Sequence, residues 1–331
     1  MQPSARAAAG VIAFVSGSCA YAQGAANVTN VTNWPAKAVR VIVPYPSGGT
    51  SDILARLVGQ KLTEAWGQQI VVDSRPGANG VIGSDMVVRA PADGYTLLLT
   101  DVGNLIITKI TLPKVPYEPL TDFAPIGMVS YSPHLLSVHP SVPVKNVPEL
   151  IALAKKNPGK LNFPTGLGGA PHMAGLALQN RTGVNWVYVP TKGGAQSMMT
   201  VATGEGDLMF LGMLQTMPHV KSGRVKAIAI SSEKRDASMP NTPSVAETPG
   251  LEGFHTGSWQ GLLGPAKLPA DILAKAGNEL RRVLALADVK EKLGSQGTVP
   301  LITSPQEMSK FLLAERERWS KVIKDTGFKI E

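Results

Sequence analysis

The sequence predicts an α/β protein of two lobes, each a mixed, mainly parallel sheet flanked by helices. Three observations carry that prediction. Strand-like and helical stretches alternate along the chain, the alternation breaks off and begins again near the middle, and 331 residues suit about two domains of roughly 150 residues each.

Each element follows from its pattern. Val39-Arg40-Val41-Ile42-Val43 is β-branched and extended, and Pro46-Ser47-Gly48-Gly49 breaks it. Ile53, Leu54, Leu57, Val58 and Leu62 then recur at helical spacing as far as Gly67. Ile70-Val71-Val72 predicts a second strand, Arg75 to Gly80 a loop, the stretch to Ala90 a helix, and Tyr95 to Thr100 a third strand. This βαβαβ order is the grammar of a parallel sheet. It restarts at Pro148, a residue suited to a first helical turn running on to Lys156. Leu161 to Phe163 is strand-like, Thr165 to Pro171 a loop, and His172 to Thr182 helical. Strands at Val187–Val189, Leu208–Phe210 and Val225–Ile230, with helices from Ala195 and around Met217, complete the second set. Helical periodity in 271–287 and 306–325 follows both sets, so the C-terminal part is expected to be shared between lobes.

Composition removes several classes of protein. Only 17% of residues are charged and 44% are apolar, which is unlike a disordered chain. Glycine (34) and proline (26) are frequent but follow no period of three, so the chain turns often and is not collagenous. The net charge of +8 comes from scattered pairs such as Lys155-Lys156, Lys234-Arg235 and Arg281-Arg282, not from a basic and aromatic stripe, and no nucleic-acid partner is expected.

Residues 1–22 read as a secretory signal peptide. Arg6 precedes the apolar stretch Ala7 to Val15, and Ala20-Tyr21-Ala22 fits the small-x-small rule for cleavage after Ala22. Residues 23–33 form a polar linker. A lipoprotein reading through Cys19 is disfavoured by Ser16, where a bulky aliphatic residue is expected. The mature chain is thus expected to be periplasmic, mildly basic and free of thiols.

The common catalytic arrangements are missing. The sequence has no G-x-x-x-x-G-K-[ST] phosphate loop, no G-x-S-x-G elbow and no H-E-x-x-H pair, and Gly166-Leu167-Gly168 meets Pro171 where a dinucleotide fingerprint needs glycine. His134, His139, His172, His219 and His255 show no metal-ligand spacing. No cofactor, metal or enzymatic activity is expected. Two glycine-rich strand–loop–helix junctions remain, Pro44 to Asp52 and Thr165 to His172. Each brings unpaired N–H groups to a helix start, where an anion is favoured. The plainer alternative is an ordinary βα turn capped by Thr50 or Ser51. Asp52 would repel an anion, and capping or ordering a water is its expected role.

Pro44-Tyr45-Pro46-Ser47-Gly48-Gly49-Thr50-Ser51-Asp52-Ile53-Leu54-Ala55-Arg56 resembles the first signature of the Bug-type solute-binding proteins, the extracytoplasmic receptors of tripartite tricarboxylate transporters. Arg75 to Gly80, Ala92 to Leu97, Val189 to Gly194 and Pro240 to Glu247 extend the resemblance in order over residues 34–331. It implies a type II periplasmic binding fold closing by a hinge on a small carboxylate, for delivery to the membrane subunits of such a transporter. By position, Ser47, Gly48, Gly49 and Ser51 would line one half of the cleft. Thr165, Gly166, Gly168, Gly169, Ala170 and His172 would line the other, with Lys192 and Gly193 at its border, and His172 expected more as a supporting group than a direct contact. Three departures stand out: the second loop is one residue short and carries Pro164, Thr191 replaces a frequent tyrosine, and Leu211 stands where the family often has aspartate. Leucine removes charge and acceptor there, which predicts a ligand without an ammonium group. The expected division is 34–134 with 254–304 as the first lobe and 135–253 with 305–331 as the second, in a monomer. A sensor docking on a membrane signalling protein and an exported enzyme acting on a small acid are the rival readings.

Overall fold

The computed structural model describes residues 33–112 and 114–326, together with Met1; the expected signal peptide and nearly all of the linker lie outside the described residues. The first lobe opens with β1 (Val39–Val43), α1 (Thr50–Trp66), β2 (Ile70–Ser74), α2 (Val81–Val88), β3 (Thr96–Asp101) and α3 (Val102–Thr111). β1 lies between β2 and β3, parallel to both, with Val41 opposite Val72 and Leu97. Four of its five residues are buried, as a strand covered on both faces requires.

Next comes β4 (Phe123–Val138), then α4 (Val147–Lys156), β5 (Asn162–Thr165), α5 (Ala170–Thr182), β6 (Val187–Pro190), α6 (Gly194–Ala202), β7 (Leu208–Gly212), α7 (Met213–Lys221) and β8 (Lys226–Ile230). The chain returns through β9 (Gly257–Pro265), α8 (Ala270–Ala285), α9 (Ala287–Gly294), β10 (Val299–Pro300) and α10 (Pro305–Thr326).

β4 belongs to both lobes. Its first part, Phe123 to Pro133, pairs antiparallel with β9, which pairs antiparallel with β3. Its last part, His134 to Val138, pairs antiparallel with β7 and, from Leu135, with β8. The expected parallel arrangement therefore describes β2–β1–β3 and β5–β6, while the strands that cross between lobes add antiparallel neighbours.

Each lobe encloses its own core. Leu54, Val58 and Leu62 of α1 and Ile272, Ala276 and Leu280 of α8, all at helical spacing, cover one face of the first sheet. Ile42, Leu98, Leu105 and Ile106 fill the other face. In the second lobe Phe163, Trp186 and Phe210 are buried together, and Phe254 stacks on Phe210 at 6.0 Å. Phe254 thus packs in the second core although the sequence division assigned it to the first. α10, expected in the second lobe, bridges both: Met308 and Leu312 enter the first core, while Trp319 and Ile323 pack with Ile107, Ala170 and Met173.

The two crossing segments meet at Ser231. Its Oγ accepts the His134 N–H at 2.9 Å and donates to the Thr256 carbonyl at 2.6 Å. Its backbone N–H and C=O bind His134 and Thr256 at 2.8 and 3.0 Å. His134 Nδ1 lies 3.0 Å from Thr256 Oγ1, and burial depresses the imidazole pKa to about 3, so the ring is neutral. Ser231→Ala takes the hydroxyl partner from the buried His134 N–H and leaves the Thr256 carbonyl with only the Tyr131 hydroxyl at 3.4 Å. The expected loss is about 1–3 kcal/mol in urea unfolding; an unchanged midpoint would show that the hydroxyl holds nothing.

Candidate functional site

A cavity of about 630 Å³ lies between the lobes. It is reached from the C-terminal ends of β1, β3, β6 and β7, where the crevice of an open α/β sheet receives ligands.

Four helices begin at its wall with glycine as N-cap, α1 after Gly49, α5 after Gly169, α6 after Gly193 and α7 after Gly212, and of these α7 has one first-turn N–H, that of Leu214, taken by Ser132 Oγ at 3.4 Å. Each start carries unpaired N–H donors and about half a positive charge. Together they make the cavity attractive to an anion with little help from cationic side chains. Among the described residues, Lys192 is the one lysine or arginine on the wall, and it is exposed.

The two glycine loops are built alike. Gly48 and Gly168 take φ of 81° and 77°, in the left-handed region that favours glycine. Their N–H groups donate four residues ahead into the following helix, Gly48 to Asp52 Oδ2 at 3.0 Å and Gly168 to His172 Nδ1 at 2.9 Å. Asp52 also takes the Arg56 guanidinium at 2.9 Å and the Ser74 hydroxyl at 3.2 Å. Burial works against its ionisation, yet the Arg56 and Gly48 hydrogen bonds hold its carboxyl below the usual range. His172 is buried and its pKa is pushed down to about 4, so it accepts from Gly168 as a neutral ring, edge-on to Tyr188 at 4.3 Å. Both side chains act as props for their loops.

Of the residues expected from sequence, Gly49, Ser51, Gly166, Gly169, Lys192, Gly193 and Leu211 line the cavity. Ser47, Gly48, Thr165, Gly168, Ala170 and His172 do not. Ser47 and Gly48 are exposed on the outer side of their loop, and Ser47 Oγ donates to Ser74. Thr165, Gly168, Ala170 and His172 are buried behind the second loop.

Sequence reasoning missed a polar floor contributed by the first lobe. Asp101 ends β3 and caps α3 by accepting the Asn104 N–H at 2.9 Å. Asn104 Nδ2 donates to the Tyr45 hydroxyl at 2.6 Å, while its Oδ1 is buried without a partner. That oxygen faces the other lobe, since a Cβ placed on Gly169 would lie 3.1 Å from it. Gln260 of β9 accepts the Ser51 hydroxyl at 2.7 Å and turns its amide nitrogen to Asp101. The available signal was a polar residue closing the apolar run Leu97-Leu98-Leu99 at the C-terminal end of a parallel strand, where sites form.

Comparison with known proteins gives a consistent result. The model of the tripartite tricarboxylate transporter family receptor matches residues 54–328. Protein BugT of Bordetella pertussis is 32% identical over 310 residues, covering 93% of this chain and 95% of its own. Among solved structures, an R. palustris protein with adipate superposes with a TM-score of 0.86 at 34% identity, covering 89% of this chain and 98% of that one. MatC from Rhodopseudomonas palustris with bound malate gives 0.83 at 29%, covering 88% and 100%.

Burial pushes the Asp101 carboxyl up from an ordinary 3.8 to about 7, with the charge of Glu315 adding to the shift against the hydrogen bonds it accepts. The folded chain therefore keeps a proton that the unfolded chain releases above pH 4. The linked stability is present at low pH and is lost as pH rises from about 4 to about 7. Asp101→Asn, which retains the cap, is expected to gain on the wild type by up to about 4 kcal/mol between pH 4 and pH 8 in urea unfolding. Parallel pH profiles would show that Asp101 ionises freely. His134 and His172 act in the opposite direction below pH 6.5 and are common to both proteins.

Proposed function

The chain belongs to the tripartite tricarboxylate transporter receptor family, a family of receptors and not of enzymes, and we propose that it captures a small dicarboxylate by hinge closure and presents it to the membrane subunits of such a transporter. The observation that carries this reading is the set of four helix starts with glycine as N-cap around one cavity. A carboxylate has up to four acceptor positions and matches such a ring of N–H donors. Ser51, Gly49 and Gly169 are the proposed contacts for one ligand carboxylate, with Gly166, Lys192 and Gly193 closing over it. The solved relatives with adipate and with malate support the dicarboxylate class.

Leu211 supports the further restriction to acids without an ammonium group. It is buried on β7, opposite Leu135, and lines the cavity with neither charge nor acceptor. An ammonium brought against it would lose its water without gaining a partner. Export through residues 1–22, with cleavage after Ala22 and action as a periplasmic monomer, completes the proposal.

Closure is proposed to rest on a ligand-driven shift between open and closed arrangements, the acid binding the closed one better. The test is a thermal-shift and calorimetric panel on refolded residues 23–331. A dicarboxylate at a hundred times its dissociation constant should add about 2.7 kcal/mol and be recovered chemically unchanged. Conversion of the acid would mark an enzyme, and micromolar binding of glutamate or aspartate would refute the restriction read from Leu211. Gly169→Val makes a second test. Gly169 has φ −87°, which valine can adopt, but its Cβ would lie 3.1 Å from Asn104 Oδ1 across the cleft and 3.2 Å from the Gly166 carbonyl of its own loop. Affinity for the ligand is expected to fall at least about tenfold, with a smaller loss of unliganded melting temperature; unaltered affinity would mean the loops do not approach on binding.

A further inference from the structure

Among the described residues, Asp101 is the one carboxylate on the wall of a cavity otherwise arranged for anions. It is 7% exposed and makes no ion pair among the described residues. Oδ1 is held by the Asn104 N–H. Oδ2 lies 3.4 Å from Gln260 Nε2, whose amide orientation follows from Oε1 accepting the Ser51 hydroxyl. The titratable groups that face it give no positive charge. Glu315 of α10 is itself occupied, by Arg318 at 3.2 Å and Trp319 Nε1 at 2.8 Å. Tyr45 from the loop after β1 is a buried phenol whose pKa is raised. β9 presents neutral Ser258 and Gln260, α3 presents neutral Asn104, and Lys192 is the only charged wall residue of the second lobe among the described residues.

A ligand carboxylate drawn in by the helix starts would share this cavity with Asp101. Two carboxylates in one enclosed site without a cation between them hold a proton in common. We propose that Asp101 meets the bound acid in its protonated form and donates its O–H to a ligand carboxylate oxygen, so that capture at alkaline pH draws up to one proton from solvent onto Asp101. The inference rests on the reading of the cleft as a carboxylate receptor. It makes Asp101 a specificity-determining residue: a neutral carboxylic acid accepts no ion pair from an ammonium and supplies a donor to an anion. Burial has already carried the unliganded group to about 7, so little further shift is needed at neutral pH.

The experiment compares wild type with Asp101→Asn, whose amide keeps the helix cap and offers a permanent N–H donor. Adipate is the probe, titrated by calorimetry from pH 6 to pH 8.5 in buffers of low and high ionisation heat. The wild type should take up protons on binding, and its affinity should fall about tenfold per pH unit above 7. The variant should bind adipate without proton uptake, with flat affinity within about threefold of the wild type at pH 6. A wild type with no proton uptake overturns the inference. So does a variant weakened about tenfold or more at pH 6, since Asp101 would then act as an ionised acceptor. If adipate binds neither protein, the proposed ligand class fails and the carboxyl carbon-13 titration of unliganded Asp101 decides: a midpoint near 7 sustains the inference, and one near 4 overturns it.

Discussion

The arrangement depends on one strand serving two sheets. Because β4 runs unbroken from Phe123 to Val138, the partners it takes in its two halves are fixed relative to each other by covalent backbone. β9 and, through it, β3 align on the first half, and β7 on the second. The ends of β3 and β7 are thereby carried to the same crevice, and α3 and α7 start there without intervening loops. Asp101, Asn104, Leu211 and Gln215 reach one wall for that reason. The sheets supply position, and the chemistry is left to whatever residues end the strands.

Around that crevice the protein repeats one local solution. A left-handed glycine, a second glycine as N-cap and a polar side chain four residues on appear in both lobes with nearly the same backbone angles. The prop is ionised in one, Asp52, and neutral in the other, His172. Asp52 can afford its charge because Arg56 lies on the solvent side with 58% of its side chain exposed, away from the cavity. Four of the helix starts at the crevice have glycine as N-cap, whereas α3 is capped by Asp101, which occupies the place an anion would otherwise fill. A cavity made attractive by backbone dipoles imposes little on side chains, which leaves its walls free to differ between relatives that take different acids.

Much of this was legible in the sequence, for identifiable reasons. β1 and β3 announced themselves because buried parallel strands are unbroken β-branched or leucine runs, and the edge strand β2 because Ile70-Val71-Val72 is β-branched although only Ile70 is buried. The glycine loops announced themselves because few other residues suit φ near 80°. β4 did not, since Pro125, Gly127 and Pro133 interrupt its pattern; the strand absorbs the first two in one register shift between them and places the third at its passage between lobes. Asp101 was hidden because a carboxylate after an apolar strand looks like any helix cap, and only burial on all sides alters its chemistry. His172 and Thr165 look like site residues in sequence but stand behind the loop, a distinction that depends on which way each side chain turns.

α10 is a stiff rod fastened to the first lobe by Met308 and Leu312, and its far end is pressed into the seam between Ile107 of α3 and Ala170 and Met173 of α5. On the proposed reading, the opening movement of the cleft draws α5 away from α3. Trp319 then acts as a wedge that keeps one of its neighbours and uncovers the other, exposing apolar surface to water at about 25 cal/mol per Å². On that reading the resting angle of the jaws would be set in part by a tryptophan that is not on the cavity wall. Relatives with identical cleft walls and a different residue at this seam would hold their ligands with different strength.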